Sequence, residues 1–143
     1  MPFFEYRLTV PKATLAADPV SSTIGLSPGR LIAVEIVFPR GCVQLVHTIV
    51  TRSNHQVYPA NLDADIAGEG GAVAWSEDTI LDDDPYLLDL VAWSDDDRFD
   101  HTLTYRFNLL PMESVRRDLL LSDLECTARE RALGLQPDQV PAP

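Results

Sequence analysis

Between Asp82 and Pro111 the chain alternates two acidic runs with two strand-length apolar segments, and no other stretch constrains the fold as tightly. In Thr102 to Leu109, the residues Leu103, Tyr105, Phe107 and Leu109 alternate with Thr102, Thr104, Arg106 and Asn108. Successive side chains of an extended chain point to opposite faces, so this is the pattern of a half-buried β-strand. In Tyr86 to Trp93, Tyr86, Leu88, Leu90 and Ala92 point one way. Leu87, Val91 and Trp93 point the other, with Asp89 the only polar residue among them. A strand apolar on both faces has to be central or covered by another surface. The two segments predict a β-hairpin with a charged tip. Asp95, Asp96, Asp97 and Asp100 cannot be buried together, so that tip is expected to face water, an ion or a basic partner.

The same grammar recurs upstream. Phe4, Tyr6, Leu8 and Val10 alternate with Glu5, Arg7 and Thr9, and Pro11 removes a ladder donor and ends the strand. Val20 to Leu26 is a weaker strand, turned by Ser27-Pro28-Gly29. Leu31 to Phe38, nearly continuous in apolar residues, reads as a central strand bounded by Pro39-Arg40-Gly41. Val43 to Arg52, a short piece around Gln56 to Tyr58, and a strand near Val73 and Trp75 follow, the last two separated by the loop Asn61 to Gly71. Seven or eight short strands with this punctuation predict an all-β fold, an antiparallel β-sandwich of jelly-roll type over residues 1–111.

A helix is expected only afterwards, over 112–135, where Val115, Leu119, Leu120, Leu124, Ala128 and Ala132 recur at helical spacing. Ser122 and Glu125 have the spacing of an internal capping box that would split it in two. Gly134 and Pro137 supply a stop, and residues 136–143 form a Pro-rich tail. If this helix packs on its own sheet it is ordinary core. If it reaches outward, Leu119, Leu120, Leu121 and Leu124 become an interface that needs a partner.

Charge narrows the function classes. With 22 acidic residues against 11 basic ones the formal charge is −11, which repels nucleic-acid phosphates unless arginines cluster, and they do not. No apolar stretch approaches the roughly 20 residues of a membrane span, and the N-terminus lacks the basic start and apolar run of a signal peptide. Nucleic acid and membrane are therefore not expected as partners, and the location expected is virion or cytoplasm. Cys42 and Cys126 are too few and too far apart for a disulfide framework or zinc site.

The chemistry-bearing residues form no complete constellation. His47 lies on an alternating strand with Val43, Leu45 and Ile49, and His101 follows Asp100, but neither a G-x-S-x-G elbow nor a Cys-His signature accompanies them. The expectation is a protein that is not an enzyme and uses no cofactor. The acidic runs raise calcium, for which Asp95, Asp97 and Asp100 are the candidate ligands. The EF-hand template fails, because counting from Asp95 its sixth and twelfth positions are Asp100 and Arg106. Acidic turns also discourage stray strand pairing. Trp75, Trp93, Tyr58 and Tyr86 are the aromatic residues available to a sugar-stacking platform.

Several segments together carry a resemblance: Phe38-Pro39-Arg40-Gly41-Cys42 with Leu45-Val46-His47; His55-Gln56, Pro59 and Asn61-Leu62-Asp63; Asp84-Pro85-Tyr86; and Trp93 to Asp97 with Phe99 to Thr102. Over residues 4–111 the chain resembles small β-rich proteins of tailed-phage and prophage-like genomes, of the capsid-decoration or virion-accessory type. The resemblance implies a structural role by self-association or docking onto a larger particle such as a capsid, and it carries over no active-site residues. Arg30, Arg40 and Arg52 are then available for salt-bridged contacts within an assembly. The alternative expectation is a calcium- or carbohydrate-binding β-sandwich module.

Overall fold

The computed structural model describes residues 3–132, without the side chains of Ser114, Val115, Asp118, Leu119, Glu130 and Arg131. The expected helix stop at Gly134 and Pro137 and the tail 136–143 lie outside the described residues. Within them the chain forms β1 (Phe3–Val10), β2 (Val20–Gly25), β3 (Gly29–Phe38), β4 (Val46–Arg52), β5 (His55–Tyr58), β6 (Ile66–Ala67), β7 (Gly71–Leu81), β8 (Leu87–Ser94), β9 (His101–Pro111) and α1 (Met112–Ala132).

Two antiparallel sheets pack face to face, one ordered β1-β9-β3-β7 and the other β2-β8-β4-β5, with β6 added beside β4. The pairs are nested: β1 with β9, β2 with β8, β3 with β7 and β4 with β5, alternating between the sheets. The pairs β3–β9 and β4–β8 close each sheet. A long hairpin wound in this way is a jelly roll, the all-β fold expected from the punctuation.

The hairpin read from Asp82 to Pro111 does not form. β8 pairs with β2 and β4, whereas β9 pairs with β1 and β3, so the acidic segment between them crosses from one sheet to the other. Alternation specifies which face of a strand is buried but not its neighbour, and six residues suffice to span the roughly 10 Å between packed sheets. Both arms are nevertheless central strands.

The inward faces supply the core. Leu8, Val10, Leu31, Val34, Ile36, Phe38, Leu103, Tyr105, Phe107 and Leu109 from one sheet meet Ile24, Val46, Val50, Leu88, Leu90 and Ala92 from the other. In β4 the buried face is Val46, Thr48 and Val50, so His47 lies on the outer face. The strand begins at Val46, not Val43, because Val43 and Gln44 adopt left-handed backbone angles, φ of 46° and 59°. One polar bridge crosses the core: the Thr48 hydroxyl lies 2.8 Å from the Val91 carbonyl and 2.6 Å from the Tyr105 hydroxyl.

The helix continues directly from β9. At its base Gly29 lets β3 approach the end of β9, since a Cβ there would sit 2.2 Å from the Leu110 carbonyl oxygen. Among the described residues α1 touches only β3 and β9 to any extent, and the described side chains from Leu120 to Arg129 are all exposed. It runs unbroken through Ser122, so the expected capping box does not divide it. Helical hydrogen bonding propagates cheaply once nucleated, and Ser122 lies mid-helix with no chain reversal to cap.

Candidate functional site

Three regions of the molecule are candidates for a functional site. The first is the projecting helix. Leu120, Leu121 and Leu124 are 64%, 52% and 65% exposed, and at about 100° per residue they fall within one arc of its surface. Leu119 belongs to the same run, but its side chain is outside the described residues. Cys126 points about 170° from the centre of that arc and is exposed. Residues 1–111 carry 16 acidic and 7 basic side chains, whereas the helix carries 5 and 4. The body of one molecule therefore repels that of another, while the helix is close to neutral. Glu113 stands four residues before Arg117, and Glu125 four before Arg129, an order that supports helix in water.

The second region is the acidic crossing between β8 and β9, where the predicted calcium ligands disperse. Asp95 accepts from His47 Nε2 at 3.0 Å, Asp100 accepts the Lys12 backbone N–H at 2.8 Å, and Asp97 is exposed. Among the described residues no three His, Cys, Asp or Glu side chains are grouped to hold a metal. Asp96, expected at the tip with the others, folds inward instead. Its Oδ2 meets His101 Nε2 at 2.7 Å and its Oδ1 accepts the Arg98 N–H at 2.9 Å, with both Asp96 and His101 buried. The His101 contact leads in holding the Asp96 carboxyl below its ordinary value. Nearby, Glu69 accepts the backbone N–H groups of Gly41, at 3.0 Å, and of Val43, pinning the strained turn ahead of β4. Those two bonds lower the Glu69 carboxyl most. The Cys42 thiol, buried in the same end, is pushed up to about 11 by burial and by Glu69 and Asp96. A thiol so placed is a packing group, because the thiolate is the nucleophile.

His47 is a histidine of the outer sheet face. It stacks on Trp93 with ring centroids 5.6 Å apart, and its Nδ1 and Nε2 face Asp65 at 2.8 Å and Asp95 at 3.0 Å. Trp93 is therefore on the outer face, remote from the pairing of Tyr58 with Trp75, whose rings meet edge to face at 5.2 Å. The four aromatics do not share one platform. Arg30, expected to serve contacts between molecules, makes a two-pronged pair with Asp78 at 2.6 and 2.9 Å, and Arg52 donates to the Asp83 carbonyl at 3.1 Å.

The third region escaped the sequence reading. At one side the sheets part between β7 and β5, leaving a cleft of about 620 Å³ lined by Leu31, Val57, Tyr58, Val73, Trp75 and Leu81 among others. The polar groups in it include Glu77, Thr79 and Arg52. Partial burial raises the Glu77 carboxyl, but hydrogen bonds from the Asp78 N–H, Thr79, Tyr58 and Trp75 outweigh it and leave the group below 4.5. The Tyr58 phenol is pushed well above its ordinary value by burial and by the Glu77 charge. Continuing the alternation of Val73 and Trp75 by two steps would have placed Glu77 and Thr79 on the inner face.

No protein-family model matches the chain, and comparisons with the curated proteins and with the solved structures give no match. No helix among the described residues is long and apolar enough to cross a membrane.

Proposed function

We propose that this is a non-enzymatic assembly protein that acts by self-association or docking onto a larger particle, and specifically a virion accessory or decoration protein of a tailed phage. The observation that carries the reading is the helix Met112–Ala132, which leaves the sandwich with Leu120, Leu121 and Leu124 in water. Three neighbouring leucines exposed on the helix surface gain by being covered. The occupant favoured by charge is the helix of a second copy, because the helix is the near-neutral part of an acidic chain. The phage assignment rests on the sequence resemblance and on a fold that capsid proteins share with lectins and cupins.

Sedimentation velocity on the full chain tests the leucine stripe. Leu120→Glu with Leu124→Glu is expected to convert an associated species to monomer while leaving the melting temperature of the sandwich unchanged. An unaltered sedimentation coefficient in a folded double variant would refute the role of the stripe.

A further inference from the structure

The cleft between β7 and β5 carries an inference that does not depend on assembly. Its volume of about 620 Å³ falls inside the roughly 300–1,000 Å³ typical of small-molecule sites. Its walls are mainly apolar, and one ionised group stands inside. Glu77 accepts from the Asp78 N–H at 3.1 Å and the Thr79 hydroxyl at 3.0 Å. Both donors are neutral. Among the described residues no Lys, Arg or His nitrogen lies within 4.0 Å of this carboxylate, so it has no ion-pair partner. Arg52 lines the same cleft, but its guanidinium is drawn to the Asp83 carbonyl. A carboxylate in weakly polar surroundings attracts a cation more strongly than one in water.

We infer that the cleft binds a small organic cation, an ammonium group on an apolar body, with the ammonium at Glu77 beside Trp75 and Tyr58 and the body along Val57, Val73 and Leu81. An inward charge on an edge strand also discourages pairing with other chains. That role needs neither a cavity nor a pair of aromatic rings, and the cleft between β7 and β5 has both.

The chain has two tryptophans, so Trp93→Phe leaves Trp75 as the sole reporter in the cleft. Fluorescence titration of this variant with hexyltrimethylammonium is expected to saturate. The neutral isostere 2,2-dimethyloctane is poorly soluble, so hexanol and hexanoate serve as the uncharged and anionic controls. Both are expected to bind at least about tenfold more weakly. Glu77→Gln in the same background, with its melting temperature checked, is expected to weaken the ammonium about tenfold and leave hexanol unchanged. Equal binding of ammonium and hexanol, no saturation by the ammonium, or indifference to Glu77→Gln in a folded variant would overturn the proposal and leave Glu77 as an edge-protecting charge only.

Discussion

Replacing Thr48 by Val should destabilise the protein more than removing the Tyr105 hydroxyl, although the two groups form a single bridge. The Thr48 hydroxyl has one proton, and the Val91 carbonyl at 2.8 Å accepts it, so the Tyr105 hydroxyl donates to Thr48 Oγ1 at 2.6 Å. Both residues are fully buried, and burial pushes the Tyr105 phenol up, which keeps it a neutral donor. Tyr105→Phe leaves Thr48 still bonded to Val91 and removes one ordinary hydrogen bond, costing about 1 kcal/mol. Thr48→Val preserves shape but strands the Tyr105 hydroxyl without water, costing about 2 kcal/mol. Adding Tyr105→Phe to Thr48→Val then removes the stranded donor and restores about 1 kcal/mol, so the same substitution changes sign with its background. Urea unfolding of the four proteins at 25 °C reads this as a coupling of about 2 kcal/mol, with unchanged denaturant slopes. An identical cost for Tyr105→Phe in both backgrounds would refute the bridge and the face assignment of β4.

Acid should unfold the protein through its depressed carboxyls. Glu69, Glu77, Asp78 and Asp96 all lie below their ordinary values when folded. Their stabilisation is present above the unfolded values and is lost as pH falls through the folded ones, so melting temperature should drop below about pH 5. Glu69→Gln should lessen that drop, and a pH series of melting curves with an identical slope for the variant would count against the assignment. Ellman's reagent should modify one thiol per chain under native conditions, Cys126, with Cys42 reacting only on unfolding; loss of the fast phase in Cys126→Ser identifies it. Gly29→Ala should cost about 2 kcal/mol or more, because its Cβ would meet the Leu110 carbonyl at 2.2 Å, a backbone group that cannot swing away. Gly25→Ala, whose Cβ would find only Leu87 at 3.9 Å, is the control and should change stability by no more than about 0.5 kcal/mol.

The strands were legible because alternation is a local consequence of extended geometry, and Leu103, Tyr105, Phe107 and Leu109 all face the core as their spacing required. Partnership was not legible, since β8 and β9 look like the arms of a hairpin yet belong to different sheets. Asp96 was misplaced for a related reason: its burial depends on His101 arriving from the other sheet to meet it. Thr48 was hidden by the turn before β4, where left-handed Val43 and Gln44 shift the start of the strand and with it the buried face. The direction of the helix could not be read from leucine spacing, which is the same for a helix packed on its own sheet and one awaiting a partner. The cleft depends on two edge strands failing to close, a tertiary fact; only its charged member, Glu77, lay within reach of the alternation.

On the reading proposed above, the projecting helix joins copies of this chain. Light scattering on the full-length protein across the micromolar range tests it most directly. The expected native mass rises with concentration to at least twice the 15.9 kDa of one chain. A constant 15.9 kDa at every concentration, with the helix intact by circular dichroism, would contradict it.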